Sequence, residues 1–491
     1  MGASKQKQLR MEHANDPSPK ELAAQKAAAE KKKTNSKYTI GVIVILVVAL
    51  LAGLVNSSLF DTKLTAVKTG NVNWSLSQVR YAKQNAYSQF YSNYSGLIDY
   101  LIDPDTPLDE QTSMFDENLS WSEYFSEEGL KFLQELAAYH DLAKAEGYTL
   151  TEEEKKTIDE NMAMFDTYAS LYGYTTDGYL TAQYGEGNSA KSVRNMMEMS
   201  LLAARYAQDK QDSFADSYSA ETLDAWYQEH SAEHNTVSYL TTLISADTDE
   251  NGNATEEGKK AAKATADKIK ASCDGTTEGF SAAVLENTGV EAYESSTTPS
   301  GMGEGSDWAN DASRKVGDVT VVEETSGYRL YCFLGLDTND YNTVNVRHIL
   351  ISAVDSDGDG SVSEEEKQAA FDTINSVKDE WDGTEDGFAA LAEQYSEDPG
   401  SNTNGGLYED IAKGQMVPAF DAFCFAKHKV GDNEIVYDES YGYFFIYFVG
   451  EGDPYQTVLA RNALTGEDFT AWKDALLEKY PIEKAGLFKR A

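Results

Sequence analysis

The run Asp355-Ser-Asp-Gly-Asp-Gly-Ser-Val-Ser-Glu-Glu-Glu366 has the ligand order of a twelve-residue calcium loop. Asp355, Asp357 and Asp359 stand at positions 1, 3 and 5, Gly360 at the turn of position 6, Ser361 at 7, Ser363 at 9 and Glu366 at 12. Calcium takes about six to eight oxygen ligands, and this order supplies side-chain oxygens, one backbone carbonyl and a bidentate glutamate. A structural calcium ion is therefore expected on the loop 355–366. Asp247, Asp249, Asn251 and Gly252 repeat the opening of the pattern, but Gly258 stands where Glu366 does, so no ion is expected there. The three cysteines, Cys273, Cys332 and Cys424, are far apart and form no CxxC pair. That spacing offers neither a zinc knuckle nor a redox dithiol, and small buried apolar residues are expected instead.

The elements that must carry this loop lie on a long, acidic chain. At 491 residues, 41% hydrophobic and 11% aromatic, it is globular and too long for one core, so about three folded units are expected. Residues 1–37 carry a net charge of +5, which leaves −46 on the remainder. A surface of that sign repels phosphate, and nucleic acid is excluded as a partner. From Thr39 to Phe60 no residue is charged, and the run from Ile40 to Val55 is long and apolar enough to span a bilayer. Lys31, Lys32, Lys33 and Lys37 precede it, which places the N-terminus in the cytoplasm and the acidic bulk outside. The reading is a basic tail at 1–37, an uncleaved signal anchor at 38–60, and a single-pass protein of the cell membrane.

Residues 61–232 read as a helical domain. Leu130, Leu133, Leu136 and Ala137 recur at helical spacing, as do Met162, Phe165, Tyr168 and Leu171. Thr151-Glu-Glu-Glu154 is a capping box just beyond Gly147, which ends the preceding helix. Further helices are expected over about 190–212, 219–230 and 467–480, the last packing back on the helical domain and completing it with 456–491.

Between them the chain repeats itself. Asn235-Thr-Val237 recurs as Asn342-Thr-Val344, and Leu243-Ile-Ser-Ala246 as Leu350-Ile-Ser-Ala353. Gly327-Tyr-Arg-Leu-Tyr-Cys-Phe-Leu-Gly335 is matched by Gly442-Tyr-Phe-Phe-Ile-Tyr-Phe-Val-Gly450. Preserved order at a nearly constant offset means a tandem duplication of one α+β unit, at 235–336 and 342–450.

The second copy resembles the parvulin family of peptidyl-prolyl isomerases. The resemblance rests on Val346-Arg-His-Ile-Leu-Ile351, on Phe388-Ala-Ala-Leu-Ala-Glu-Gln-Tyr-Ser-Glu-Asp-Pro-Gly-Ser401, on Asn404-Gly-Gly-Leu407 and on Gly414-Gln-Met-Val-Pro-Ala-Phe420. With helices before and after, the arrangement resembles the PrsA/SurA foldases. The resemblance implies a fold class of α+β, with an N-terminal transmembrane helix, an all-α chaperone domain and two tandem parvulin-like domains. It implies catalytic roles for His348 and Asp398, and a proline slot of Leu407, Gln415, Met416, Phe420 and Phe444. Family members usually place a second histidine where Gly442-Tyr443 is followed here by Phe444, which cannot hydrogen-bond. The first copy has Thr241 in place of His348 and no Gly-Gln-Met-Val-Pro-Ala-Phe run, so it is expected to be degenerate. The function implied is prolyl isomerisation in unfolded or folding exported polypeptides, with no cofactor required for catalysis. The alternative is a non-catalytic holdase that keeps the domain only to dock peptides.

Overall fold

The computed structural model describes residues 58–250, 252–356, 358 and 360–490. The basic tail 1–37 lies outside them, as does the expected membrane segment except for its last three residues. Among the described residues no helix is long and apolar enough to cross a membrane. The strands are β1 (Thr65–Thr69), β2 (Val72–Ser75), β3 (Thr236–Ser245), β4 (Tyr293–Thr297), β5 (Val319–Glu324), β6 (Gly327–Asp337), β7 (Asn342–Ser352), β8 (Leu407–Ile411), β9 (Asn433–Asp438), β10 (Gly442–Pro454) and β11 (Ile482–Lys484). The chain forms two compact units: one runs to Lys210 and resumes at Thr470, the other is Gln211–Phe469.

The first unit is built on helices Leu76–Asn93, Trp121–Ala145, Glu152–Leu171 and Thr176–Tyr184. Three of them start in reciprocal capping boxes, Ser75 with Gln78, Ser120 with Glu123 and Thr151 with Glu154, so their first free N–H groups are satisfied locally. Leu130, Leu133, Leu136 and Ala137 are buried, as their spacing requires. The second stripe differs. Tyr168 and Leu171 are exposed, and the stripe packs on the short helix Thr176–Tyr184, where Tyr179 lies against Phe165, Tyr168 and Tyr172. This unit is not all-α, because β1, β2 and β11 form a three-stranded sheet in the order β11-β1-β2. Gly70, at φ 57°, lies at the turn between β1 and β2, and β11 arrives from the other end of the chain to pair Lys484 with Val67.

The second unit holds both copies of the repeat, each a four-stranded antiparallel sheet. The orders are β4-β3-β6-β5 and β8-β7-β10-β9, the same topology twice. Register agrees as well: Thr241 opposes Tyr331 in the first copy, and His348 opposes Ile446 at the matching place in the second. Strand parity divides the second sheet into two faces. Ile349, Ile351, Phe445 and Tyr447 pack under helices Glu364–Glu380 and Glu385–Tyr395, around Phe388. Val344, Val346, Leu350, Phe444, Ile446 and Phe448 face the other way, onto helix Pro418–Cys424. His348 shares the parity of this second face.

Candidate functional site

His348 sits mid-strand on β7 with its side chain 1% exposed, and its Nε2 lies 3.2 Å from Oδ2 of Asp398. Its backbone N–H donates to the carbonyl of Gly406 at 2.8 Å, which holds the strand against the loop carrying Gly405 and Gly406. Gly406 must be glycine: φ is 73°, and a Cβ would stand 2.2 Å from the His348 carbonyl oxygen.

Asp398 follows helix Glu385–Tyr395 on a loop laced to β7. The Leu350 N–H donates to Ser396 Oγ at 3.1 Å, and the Glu397 N–H donates to the Leu350 carbonyl at 2.9 Å. Three donors converge on Asp398 Oδ2: His348 Nε2, the Ser401 hydroxyl at 2.5 Å and the Tyr408 hydroxyl at 2.9 Å. The His348 hydrogen bond, followed by those from Ser401 and Tyr408, outweighs partial burial and holds the carboxyl well below the usual carboxylate range. Burial, reinforced by the Asp398 carboxylate, pushes the Tyr408 phenol up to about 12.

Around this pair the side chains are apolar. The His348 ring lies 4.7 Å from that of Tyr408, 5.4 Å edge-on to Phe420 and 5.9 Å from Phe444, and Phe420 meets Phe444 edge to face at 5.3 Å. Phe420 and Phe444 are buried, whereas Met416, Val417 and Tyr408 are half-buried and pack on the same cluster. The result is an apolar floor with a half-open rim, beside one ionised carboxylate. His348 Nδ1 is buried and has no hydrogen-bond partner.

The structure brings His348, Asp398, Met416, Phe420 and Phe444 together but places two expected slot residues elsewhere. Leu407 pairs with Arg347, on the opposite parity, and it is Tyr408, opposite Val346, that reaches the cluster. Gln415 folds back so that its Oε1 accepts from the Ala412 N–H at 2.9 Å, closing the turn instead of lining the slot. Ser401 and Tyr408 were missed by sequence reasoning. The signal for Tyr408 was the parity of β8 against β7, which only the register reveals.

In the first copy Thr241 occupies the place of His348 and spends its hydroxyl on the Leu330 carbonyl at 2.8 Å. A strand and a 3₁₀ turn, Tyr293–Thr297 and Pro299–Gly305, occupy the stretch before Val316.

On the acidic loop, Asp357 and Asp359 lie outside the described residues. Among the described residues no three acids, histidines or cysteines are gathered as a metal site. Asp355 accepts from the N–H groups of Gly358 and Gly360. Glu366 accepts from the Ser356 N–H and hydroxyl at 2.5 and 2.6 Å, and from the Ser363 N–H and hydroxyl at 2.8 and 2.9 Å. The Ser356 and Ser363 hydrogen bonds pull its carboxyl down to about 2. Glu366 thus completes a capping box on helix Glu364–Glu380 and straps the loop to it. The glycine at the matching place in the first copy leaves room for backbone: a Cβ on Gly258 would stand 2.5 Å from the Asp247 carbonyl oxygen, which accepts from the Thr255 N–H.

The strand-borne histidine, its loop aspartate and the apolar cluster all belong to the second copy of the repeat, on its four-stranded sheet and the elements beside it. Residues 328–451 match the family model of the PPIC-type PPIASE domain. Stretches of the chain are also similar to SurA and PrsA proteins. The chain is 30% identical over 155 residues to the chaperone SurA of Pseudomonas fluorescens, covering 31% of this chain and 34% of that protein. It is 40% identical over 74 residues to foldase protein PrsA 4 of Bacillus cereus, covering 15% of this chain and 26% of that protein. The match thus spans about a third or less of either relative. Among solved structures, PrsA from Bacillus subtilis is similar at 14% identity and a TM-score of 0.29, covering 76% of this chain and 92% of that one.

Proposed function

We propose that this chain is a membrane-anchored, extracytoplasmic peptidyl-prolyl cis-trans isomerase and foldase acting on Xaa–Pro bonds of exported polypeptides. The observation that carries the reading is the His348–Asp398 pair set in an apolar cluster within the PPIC-type domain. An Xaa–Pro amide turns against a barrier of roughly 18–20 kcal/mol because resonance keeps it planar. Rotation needs no covalent step, only a site that fits the twisted amide better than the planar one. Met416, Val417 and Tyr408 offer the proline ring an apolar rim, and Asp398 sets the charge beside it. The anchor is the apolar run Ile40 to Val55 behind its lysines, and the acidic surface suits a protein that handles sticky chains without aggregating.

Two observations favour a second reading, a holdase. His348 Nδ1 has no hydrogen-bond partner and its neighbour Phe444 can supply none, and the first copy has Thr241 at the matching place. Exchange spectroscopy of cis and trans Xaa–Pro peptides, with the chain from residue 61, separates the two readings. Acceleration that Asp398→Ala combined with Met416→Ala abolishes supports the isomerase. No acceleration, with continued suppression of client aggregation, supports the holdase.

Calcium is proposed as an accessory ion on the loop 355–366. Asp355 and Glu366 would hold it, together with Asp357, Asp359, Ser361 and Ser363, and both described carboxylates would have to release hydrogen bonds within the loop. Extracellular sites of this kind bind at about 10⁻⁴–10⁻³ M. Calcium at several millimolar is therefore expected to raise the melting temperature of the wild type and leave Asp355→Asn unchanged in differential scanning calorimetry. Identical shifts in both proteins would exclude the site.

A further inference from the structure

We propose that Tyr408 is the positioning residue of this site, fixing the carboxylate of Asp398 and the ring of His348 in one arrangement. The proposal rests on the isomerase reading for its kinetic consequence and on geometry alone for its structural one. Tyr408 touches both partners at once: its hydroxyl donates to Asp398 Oδ2 at 2.9 Å, and its ring lies 4.7 Å from the imidazole. Its place opposite Val346 on β8 puts it on the same face of the sheet as His348. Ser401 donates to the same oxygen, but from the Asp398 loop itself, so it ties carboxylate to loop; Tyr408 ties it to the sheet.

The need for such a residue follows from what surrounds the imidazole. Phe444 and Phe420 present hydrocarbon and Nδ1 is buried without a partner, so among the described residues one polar side-chain contact orients the ring: Nε2 to Asp398. A carboxylate can hold a tautomer only while it stays ionised and in place. With three donors on Oδ2, the carboxylate keeps its charge, and Nε2 is the ring nitrogen that carries its hydrogen toward it. Removing the phenolic donor leaves the carboxylate less stabilised, held besides His348 only from its own loop, by the Ser401 hydroxyl and the Gly400 N–H. No other single side chain described at the site both donates to Asp398 and packs on the imidazole face.

Two readouts on the full chain, held in detergent micelles, test this. Ring-nitrogen correlation NMR assigns the His348 tautomer without reference to activity, and the pH profile of kcat/KM follows ionisation of Asp398. Tyr408→Phe keeps the ring and loses the donor. It is expected to lower kcat about tenfold, the cost of one hydrogen bond to a charged group, with KM unchanged. The acid limb should move up by about one pH unit, because a carboxylate that loses a donor is easier to protonate. The Nε2–H tautomer should give way to a mixture. Met416→Ala is expected to raise KM without moving the acid limb, which separates slot from positioning. Tyr408→Gln, a donor without a ring, should keep the acid limb and, with the carboxylate held, the Nε2–H tautomer; should Tyr408→Phe not fold, Tyr408→Leu, with neither donor nor ring, takes its place and should lose both. An unmoved acid limb with an intact Nε2–H tautomer in Tyr408→Phe overturns the proposal. Should the wild type catalyse no exchange, the isomerase reading falls, and the tautomer measurement alone decides whether Tyr408 positions the pair.

Discussion

The Gly406→Ala substitution is expected to destabilise the domain by about 2–5 kcal/mol. Two terms combine: a left-handed backbone costs a residue with a Cβ about 1–2 kcal/mol, and overpacking a closed site costs about 1–3 kcal/mol. The second term arises because the obstacle is backbone. The new Cβ would stand 2.2 Å from the His348 carbonyl oxygen and 2.9 Å from Ala392 Cβ, and no rotamer change relieves it. Gly406 also accepts from the His348 N–H and donates to the Ser401 carbonyl, both at 2.8 Å, so it cannot retreat without breaking the hold on both halves of the site. Gly414→Ala is the matched control. It has φ 75° with nothing within 4 Å of a new Cβ, so it carries the conformational cost alone. Urea titration of the two variants should put Gly406→Ala well below Gly414→Ala. Equal midpoints would mean that β7 and the 405–406 loop can part freely.

The duplication was legible because it repeats in residues. Matching runs at matched offsets became two sheets of one topology, down to Thr241 and His348 at equivalent registers. The helices of the first unit were legible for a local reason: Thr151 and Glu154 cap one another, and Gly147 ends the helix before them at φ 85°. Pairing across the chain was not. β1 and β2 are five and four residues long, and their third partner, β11, arrives some four hundred residues later, so no window of sequence contains the sheet.

The site shows the same division at finer scale. His348, Asp398, Met416 and Phe420 come from motifs whose spacing is fixed by their own elements. Leu407 and Tyr408 are adjacent on a five-residue strand, and a slip of one residue exchanges their faces. The resemblance pointed to the leucine, whereas the register placed the tyrosine inside, where its hydroxyl has a partner. Glu366 is a similar case. Its place twelve in the calcium pattern is also N3 of a helix capped by Ser363, and the pattern alone could not tell which of the two uses the carboxylate.

The Asp398→Ala substitution is expected to lower kcat/KM for Xaa–Pro isomerisation by about 10²–10³-fold, the usual loss when one preorganised electrostatic group is taken from a site. It is also expected to destabilise the domain by about 1–3 kcal/mol or more, because buried donors on His348, Ser401 and Tyr408 lose their shared acceptor. Asp398→Asn separates the two effects. An amide oxygen still accepts, so most of the stability should return, while the missing charge keeps activity at least about tenfold low. Acid titration gives an independent sign. The folded-state value of Asp398 is depressed below its ordinary 3.8, so its contribution to stability is complete above about pH 4 and drains away as pH falls further. Urea midpoints of the wild type should therefore decline between about pH 4 and pH 2 more steeply than those of Asp398→Asn, which has nothing to titrate there. Parallel declines would place the source of acid sensitivity elsewhere on this acidic chain, and full activity in Asp398→Asn would leave shape, not charge, as what the site offers a twisted amide.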